Sequence, residues 1–392
     1  MSRQVICRAP GKLLIAGEYA VLTPGRPAIV AAIDRYVTVT TTPAWHADIE
    51  IVTELTGQPV MLRRDHRGQL PGPPGHPSLS SLPHLLAALT ITEELRTHLG
   101  APPLPVRLQV SSALHDHGAK IGLGSSGAVT VAAIHALTTF YGLDVTPETR
   151  LRLALMATAQ ADPRASGADV AASTWGGWIQ YTAPDRDHLH HTRTEHGLAA
   201  ALGAEWPGLS LRPLPSTPVP LHVGWTGRPA STTAKVGRLQ DTAWWNSNAH
   251  QQFCTRSTRI VSAMADALHR GAQGELRNGI NRARTLLALL DQQTSAHVFT
   301  PALTALCEAA RTVGGAGKPS GAGGGDCGIA LLPEDASPAA LYQHWEHAGI
   351  TPLVMGTAPA VTTTLISERA HAGSLPAPAR PARSFRSVRT SP

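Results

Sequence analysis

Three segments of this 392-residue chain combine glycine, hydroxyl side chains and a lysine, the ingredients of a site that holds an anion. The first is KIGLGSSGAVTVAAIHAL, Lys120 to Leu137. Glycines at 122, 124 and 127 let the backbone approach a ligand, and Ser125 and Ser126 place hydroxyls where a helix begins. Free amides and the positive dipole end of that helix suit a phosphate. The same residues fit the GxGxxG spacing of dinucleotide folds, which belongs on the turn directly after a strand. Here SALHDHGA separates the loop from a strand ending near Ser112, and Asp144 follows a helix, so that reading is disfavoured. A serine-capped buried helix with flexible glycines is the plain structural alternative.

The second segment is KPSGAGGGDCGIALL, Lys318 to Leu332, which carries Ser320, Gly321, Gly323 and Asp326 and runs straight into an apolar strand. Pro319 after Lys318 breaks the Walker pattern. A loop that packs its backbone against a nucleotide site is preferred over a linker. The third is APGKLLIAGEYAVL, where Lys12 opens an apolar strand. Its ammonium is either the exposed tip of a turn or a partly buried charge that needs an anion.

Two further segments qualify. In ASGADVAAS, Ser166 and Asp169 stand three apart before an apolar helix, which reads either as a capping box or as an active-site carboxylate. In GWTGRPASTTAKV, Ser231, Thr232 and Thr233 begin a helix beside Arg228 and Lys235, a second possible anion site. Among 33 basic residues only Lys12, Lys120, Lys235 and Lys318 are lysine, leaving 29 arginines. Lysine kept in such a chain suggests positions that need a compact point charge.

Composition removes other classes. A hydrophobic fraction of 42% with 15% charged residues excludes a wholly disordered chain. Four scattered cysteines form no CxxC pair, against a disulfide scaffold or zinc knuckle and in favour of a reducing cytoplasm. The 19 histidines lack metal-ligand spacing, and His190 with His191 reads as surface. GSSG at 124–127 is no nucleophile elbow. The formal charge of +6 comes without aromatic interleaving, so nucleic acid is not expected as a partner. The uncharged stretch Ile121 to Leu143 reads as a loop feeding a buried helix rather than a membrane span, and MSRQVICRAPGK carries no secretory signal. Oligomeric state has no sequence signal.

The elements that must position these groups follow from apolar spacing and turn residues. Val5 to Ile33 reads as short strands joined by tight turns at PGK and TPGRP, and Tyr36 to Thr42 as a β-branched strand. A loop at 68–83 precedes a helix over Leu85 to Leu99, and a strand over Val106 to Ser111 follows. Helices are predicted over Ser126–Tyr141 and Pro147–Ala161, and a strand over Trp175–Tyr181. Pro207 to Pro220, with five prolines, reads as a crossing between domains. Beyond it come a strand at Leu221–Trp225, helices near Ser231–Gln240, Gln251–Arg270, Gly274–Leu290 and Pro301–Val313, and a strand at Gly328–Leu332. Two α+β halves result, 1–205 and 206–367, with an Arg-, Pro- and Ala-rich disordered tail over 368–392.

Taken together, an APGK segment, a GLGSSG loop and a late glycine-rich loop in this order resemble the GHMP kinase superfamily, over residues 5 to 366. Within it, SGADVAASTWGGWI, GWTGRPASTT and KPSGAGGGDCGIALL are most similar to the bacterial phosphomevalonate kinase group. The resemblance implies an N-terminal domain like domain 2 of ribosomal protein S5 and a ferredoxin-like C-terminal α/β sandwich. It implies ATP and Mg²⁺ as cofactors and (R)-5-phosphomevalonate as phosphoryl acceptor, on the mevalonate route to isopentenyl diphosphate. Carried residue by residue, it assigns Gly122, Leu123, Gly124, Ser125, Ser126 and Gly127 to the ATP phosphates, with Ser126 on the metal. Lys12, Asp169 and Lys120 become catalytic, and Ser166, Ser231, Thr232, Ser320, Gly321 and Gly323 substrate-binding. The family's second metal ligand, a glutamate, has only Gln160 and Asp162 as counterparts.

A phosphate acceptor has a second pKa near about 6, so charge neutralisation matters more for it than proton removal. On that ground Asp169 is expected to orient Lys12 and the acceptor. Mevalonate kinase, homoserine kinase and a non-catalytic regulator of the same fold are the alternatives, and diphosphomevalonate decarboxylase fits the motifs around Ser166 and Ser231 poorly.

Overall fold

The computed structural model describes residues 3–66, 70, 80–116, 119–217 and 220–367. The chain opens with β1 (Arg3–Ala16), a 3-10 turn at Ala20–Leu22, β2 (Pro27–Pro43), β3 (Ile49–Thr53) and β4 (Val60–Leu62). Then come α1 (Pro83–His98), β5 (Val106–Ser112), the small hairpin of β6 (His115–Asp116) and β7 (Ala119–Lys120), and the helices α2 (Ser125–Phe140), α3 (Pro147–Ala161) and α4 (Ala168–Trp175). β8 (Trp178–Thr182), α5 (Arg186–Gly203) and β9 (Ser210–Leu214) lead to β10 (Leu221–Trp225). Helices α6 (Thr232–Gln240), α7 (Asn248–Arg270), α8 (Gln273–Thr294) and α9 (Pro301–Thr312) follow. β11 (Ala316–Pro319), β12 (Cys327–Leu331), α10 (Pro338–His347), β13 (Thr351–Leu353) and β14 (Thr362–Ser367) end the described chain.

These elements form two main sheets. The first runs β14-β1-β2-β5-β3-β4, with β8 and β9 continuing from the early part of β2. Its central strand reads accordingly: AIVAAI is buried on both faces where two layers cover it, and VTVTT alternates where one face meets solvent. Helix α2 is apolar all round because it packs between β1 and β2 on one side and α1, α3 and α4 on the other. The second sheet runs β13-β10-β12-β11, fourth, first, third and second in chain order and antiparallel throughout, which is the ferredoxin-like arrangement. No helix among the described residues is long and apolar enough to cross a membrane.

Several expectations need correction. PGK is no turn: β1 runs straight through it, and a register shift between Pro10 and Gly11 absorbs the irregularity. Trp175 closes α4 rather than opening a strand, and the consecutive positive-φ glycines Gly176 and Gly177 turn the chain into β8. SALHDHGA is not all loop, since β6 pairs with β7. The proline-rich crossing contains β9, which pairs with β8, and β14 returns to pair with β1. The first sheet therefore draws strands from both sides of the expected 205/206 boundary. The tail at 368–392 and most of the loop at 68–83 lie outside the described residues.

Candidate active site

Lys12 lies in β1 just past the register shift, its amide donating to Leu123 O at 2.8 Å. That bond ties the strand to the GLGSSG loop. The Lys12 side chain runs over Gly124, where a Cβ would stand 2.8 Å from Lys12 Cγ. Gly124 also has φ +81, which a side chain would strain. The ammonium reaches Gly122 O at 3.4 Å and lies 4.0 Å from where Gly321 would carry a Cβ. One lysine thus stands between the first and last glycine-rich loops.

Gly124 is the N-cap of α2 and supplies no side-chain cap, so the amides of Ser125, Ser126 and Gly127 have no side-chain acceptor. Neither serine hydroxyl bonds to the described protein. Leu123 contributes its backbone only, because its side chain is buried in the core. Asp169 enters from the first turn of α4 and lies against Gly127. Ser166 does not form a capping box with it: the N-cap is Gly167, Ser166 Oγ accepts from the Ala168 amide, and Asp169 Oδ1 accepts from the Val170 amide. Tyr181 donates to Ser166 O at 2.8 Å and Arg186 to Ala165 O at 2.7 Å, fixing that loop from behind.

These groups open on one cleft of about 670 Å³ between the two halves. Lys12, Lys120, Gly122 to Ser126, Ser166, Asp169, Ser231, Thr232 and Gly321 all line it. Lys120 is exposed at its edge. Ser231 is the N-cap of α6, its hydroxyl accepting from the Ala234 amide. Across the cleft, Thr233 donates to Asp162 at 2.7 Å, so this carboxylate links the halves. Gln160 is exposed and lies off the cleft, which leaves Asp162 as the residue of that pair within reach.

Four placements differ from expectation. Ser320 is buried and both donates to Leu14 O and accepts from Leu14 N, so it fastens the late loop to β1 rather than facing a substrate. Gly323 packs against Val298 and does not line the cleft. Lys235 points away from the Ser231 helix start, donating to Ala296 O at 2.8 Å and His297 O at 2.7 Å. No ion pair joins Lys12 to Asp169 among the described residues.

Of two further cleft residues, sequence reasoning named Asp326 without giving it a role and did not single out His84. Asp326 has φ +56 and accepts from the Ala230 amide, and its carbons leave no room for a side chain at Gly122. Burial pushes its carboxyl above the ordinary range, opposed by that amide and by Lys12 and Lys120. His84 lies in the first turn of α1. Burial lowers its pKa, opposed by Asp169 and Asp162. The aspartate stands within a quoted motif, whereas His84 falls one residue before the helix predicted over Leu85–Leu99 and nothing in its sequence neighbourhood marks it.

Comparison with known proteins agrees with this geometry. The GHMP kinases N terminal domain family matches residues 85–177 and the GHMP kinases C terminal family residues 264–351. A phosphomevalonate kinase of Streptomyces sp. (strain CL190) is 47% identical over 360 residues, covering 90% of this chain and 96% of that one. Among solved structures, a Lin0012 protein from Listeria innocua superposes with a TM-score of 0.85 at 31% identity, over 92% of this chain and 99% of the other. Streptococcus pneumoniae phosphomevalonate kinase in complex with phosphomevalonate and AMPPNP superposes with a TM-score of 0.77 at 28% identity, over 91% and 99%. With its fold, its cleft and nine-tenths of its length accounted for in this way, the chain belongs to the phosphomevalonate kinases of the GHMP kinase family.

Proposed function

We infer that the protein transfers the γ-phosphoryl group of ATP to (R)-5-phosphomevalonate, giving (R)-5-diphosphomevalonate and ADP. The observation that carries this reading is the convergence of Lys12, Asp169 and the uncapped start of α2 on one cleft. The 47% identical relative is a phosphomevalonate kinase, and the pneumococcal neighbour holds phosphomevalonate together with an ATP analogue. Four free, buried cysteines support a reducing, cytoplasmic setting.

The acceptor phosphate is largely ionised at neutral pH, so no base has to take its proton. One of its oxygens attacks the γ-phosphorus, and the bond to the bridging oxygen breaks with its electron pair passing to ADP. The obstacle is bringing two polyanions together, and catalysis is positioning plus charge stabilisation. We assign the ATP phosphates to the amides of Ser125, Ser126 and Gly127, and the transferred group to Lys12 with Lys120 at the edge. Ser166, Ser231, Thr232 and Gly321 line the acceptor side. Asp169, unpaired with Lys12, orients the acceptor rather than the lysine.

Magnesium fits the donors present. It retains several waters and phosphate oxygens and needs only one or two protein ligands. The unengaged hydroxyl of Ser126, with Asp169 against the next residue, meets that need. When bound, the ion neutralises charge on the β- and γ-oxygens.

ADP release with Mg-ATP and, in parallel, phosphomevalonate, mevalonate and homoserine tests the reading. Preference for phosphomevalonate by orders of magnitude is expected. Preference for another acceptor reassigns the pocket, and silence with all three despite ATP binding favours a regulator.

A further inference from the structure

Among the described residues, five buried side-chain polar atoms have no hydrogen-bond partner. Two of them, His84 Nδ1 and Thr158 Oγ1, belong to residues that line the same cleft. A buried polar atom without a partner is costly, so it calls for a missing one. Thr158 is unusual in a specific way. The buried helix threonines Thr92, Thr130, Thr138 and Thr174 each donate to the carbonyl four residues back, the usual refuge of such a hydroxyl. Thr158 sits equally deep in α3 and makes no such bond.

His84 and Thr158 come from neighbouring helices, since α1 packs on α3. The charged groups that act on His84 are Asp169, Asp162 and Lys120. With two carboxylates near, that wall does not suit the acceptor's own carboxylate. Its phosphate is drawn instead toward Lys12 and the start of α2. What reaches the α1–α3 wall is then the middle of the acceptor's carbon chain, whose polar group is a neutral tertiary hydroxyl. We propose that His84 and Thr158 bind this hydroxyl of phosphomevalonate and so position the acceptor chain, an assignment that rests on the function inferred above. A hydroxyl both donates and accepts, which suits an imidazole nitrogen and a threonine hydroxyl together. Burial disfavours the charged imidazole, consistent with a neutral partner.

The test compares phosphomevalonate with its 3-deoxy analogue in His84→Leu, Thr158→Val and the conservative His84→Asn and Thr158→Ser. Thr158→Val is isosteric and removes an unpartnered hydroxyl, so its Tm should hold or rise. We expect each truncation to raise KM for phosphomevalonate roughly tenfold or more, leaving KM for ATP within about twofold, with recovery in the conservative variants. The unaltered enzyme should lose a similar factor on the deoxy analogue, and the truncated variants should lose little further. Unchanged KM in the variants, or an equal loss on both acceptors, overturns this assignment while the kinase reading stands. Failure of the unaltered enzyme to turn over phosphomevalonate overturns both.

Discussion

The carboxylate of Asp169 lies directly against Gly127: a Cβ at position 127 would stand 2.7 Å from Asp169 Cγ and 2.8 Å from its Oδ2. Helix α4 therefore sets its acid on the first turn of α2, one residue from the Ser126 hydroxyl. Space is the constraint here, because Gly127 has no left-handed backbone.

Gly127→Ala is accordingly a probe of geometry. Helix propensity alone would stabilise α2 by about 1 kcal/mol. The new methyl must push Asp169 away, so kcat should fall by about 10²-fold while Tm changes little. Steady-state kinetics beside thermal melting separates the two effects. Near-normal kcat would mean that Asp169 need not stand where it does.

Lys12→Met should lower kcat by at least about 10²-fold if the ammonium stabilises the transferred group. Stability should be nearly untouched, since Lys12 Nζ makes only a 3.4 Å bond to Gly122 O. Lys12→Arg should rescue little, because a planar guanidinium does not replace a compact charge packed against Gly124. Asp169→Asn with near-normal turnover would remove that residue from catalysis.

The helices and the glycine-rich loops are legible because their signals are local: a long apolar run after Gly and Ser for α2, and apolar periodicity after Thr146 and Pro147 for α3. What could not be read depends on pairing across the chain. PGK looks like a turn until β2, Leu114 and Leu123 hold it extended, and β14 becomes a strand of the first sheet only by finding β1 some 350 residues earlier. Lys12, Asp169 and the GLGSSG glycines were identified by motif and do meet. Ser320 and Lys235 carried the right chemistry, but only the fold decides which way a side chain points. His84 had no motif at all.

The lysines that do not face the cleft still need a compact charge. Lys318 is fully buried in β11 and pairs with Glu18, itself 3% exposed, beyond the end of β1. Its ammonium also donates to Pro319 O at 2.6 Å. Removing one member of such a pair strands the other charge, so Lys318→Met should cost about 3–5 kcal/mol. Adding Glu18→Leu should recover much of that loss. Urea midpoints for the two variants decide it, and a double variant as weak as the single one would locate the loss in packing instead.

His135 is buried in α2, with Arg150 Nη1 3.3 Å from its Nδ1. Burial first, and the Arg150 charge second, lower its pKa from 6.5 to about 3. The folded protein therefore keeps this imidazole neutral, whereas the unfolded chain takes up a proton near about pH 6.5. Below that pH the unfolded state binds more protons, so stability falls as the pH drops, by at most about 1.4 kcal/mol per unit, until the folded group also titrates near 3. Above about pH 7 the group contributes no slope. His135→Gln removes this dependence: whatever it costs at pH 7.5 should shrink as the pH is lowered to about 5, read as the gap between urea unfolding free energies of the two proteins. A gap that stays constant over that range would mean that the folded protein accepts the proton as readily as the unfolded chain, against the burial of the ring beneath α3.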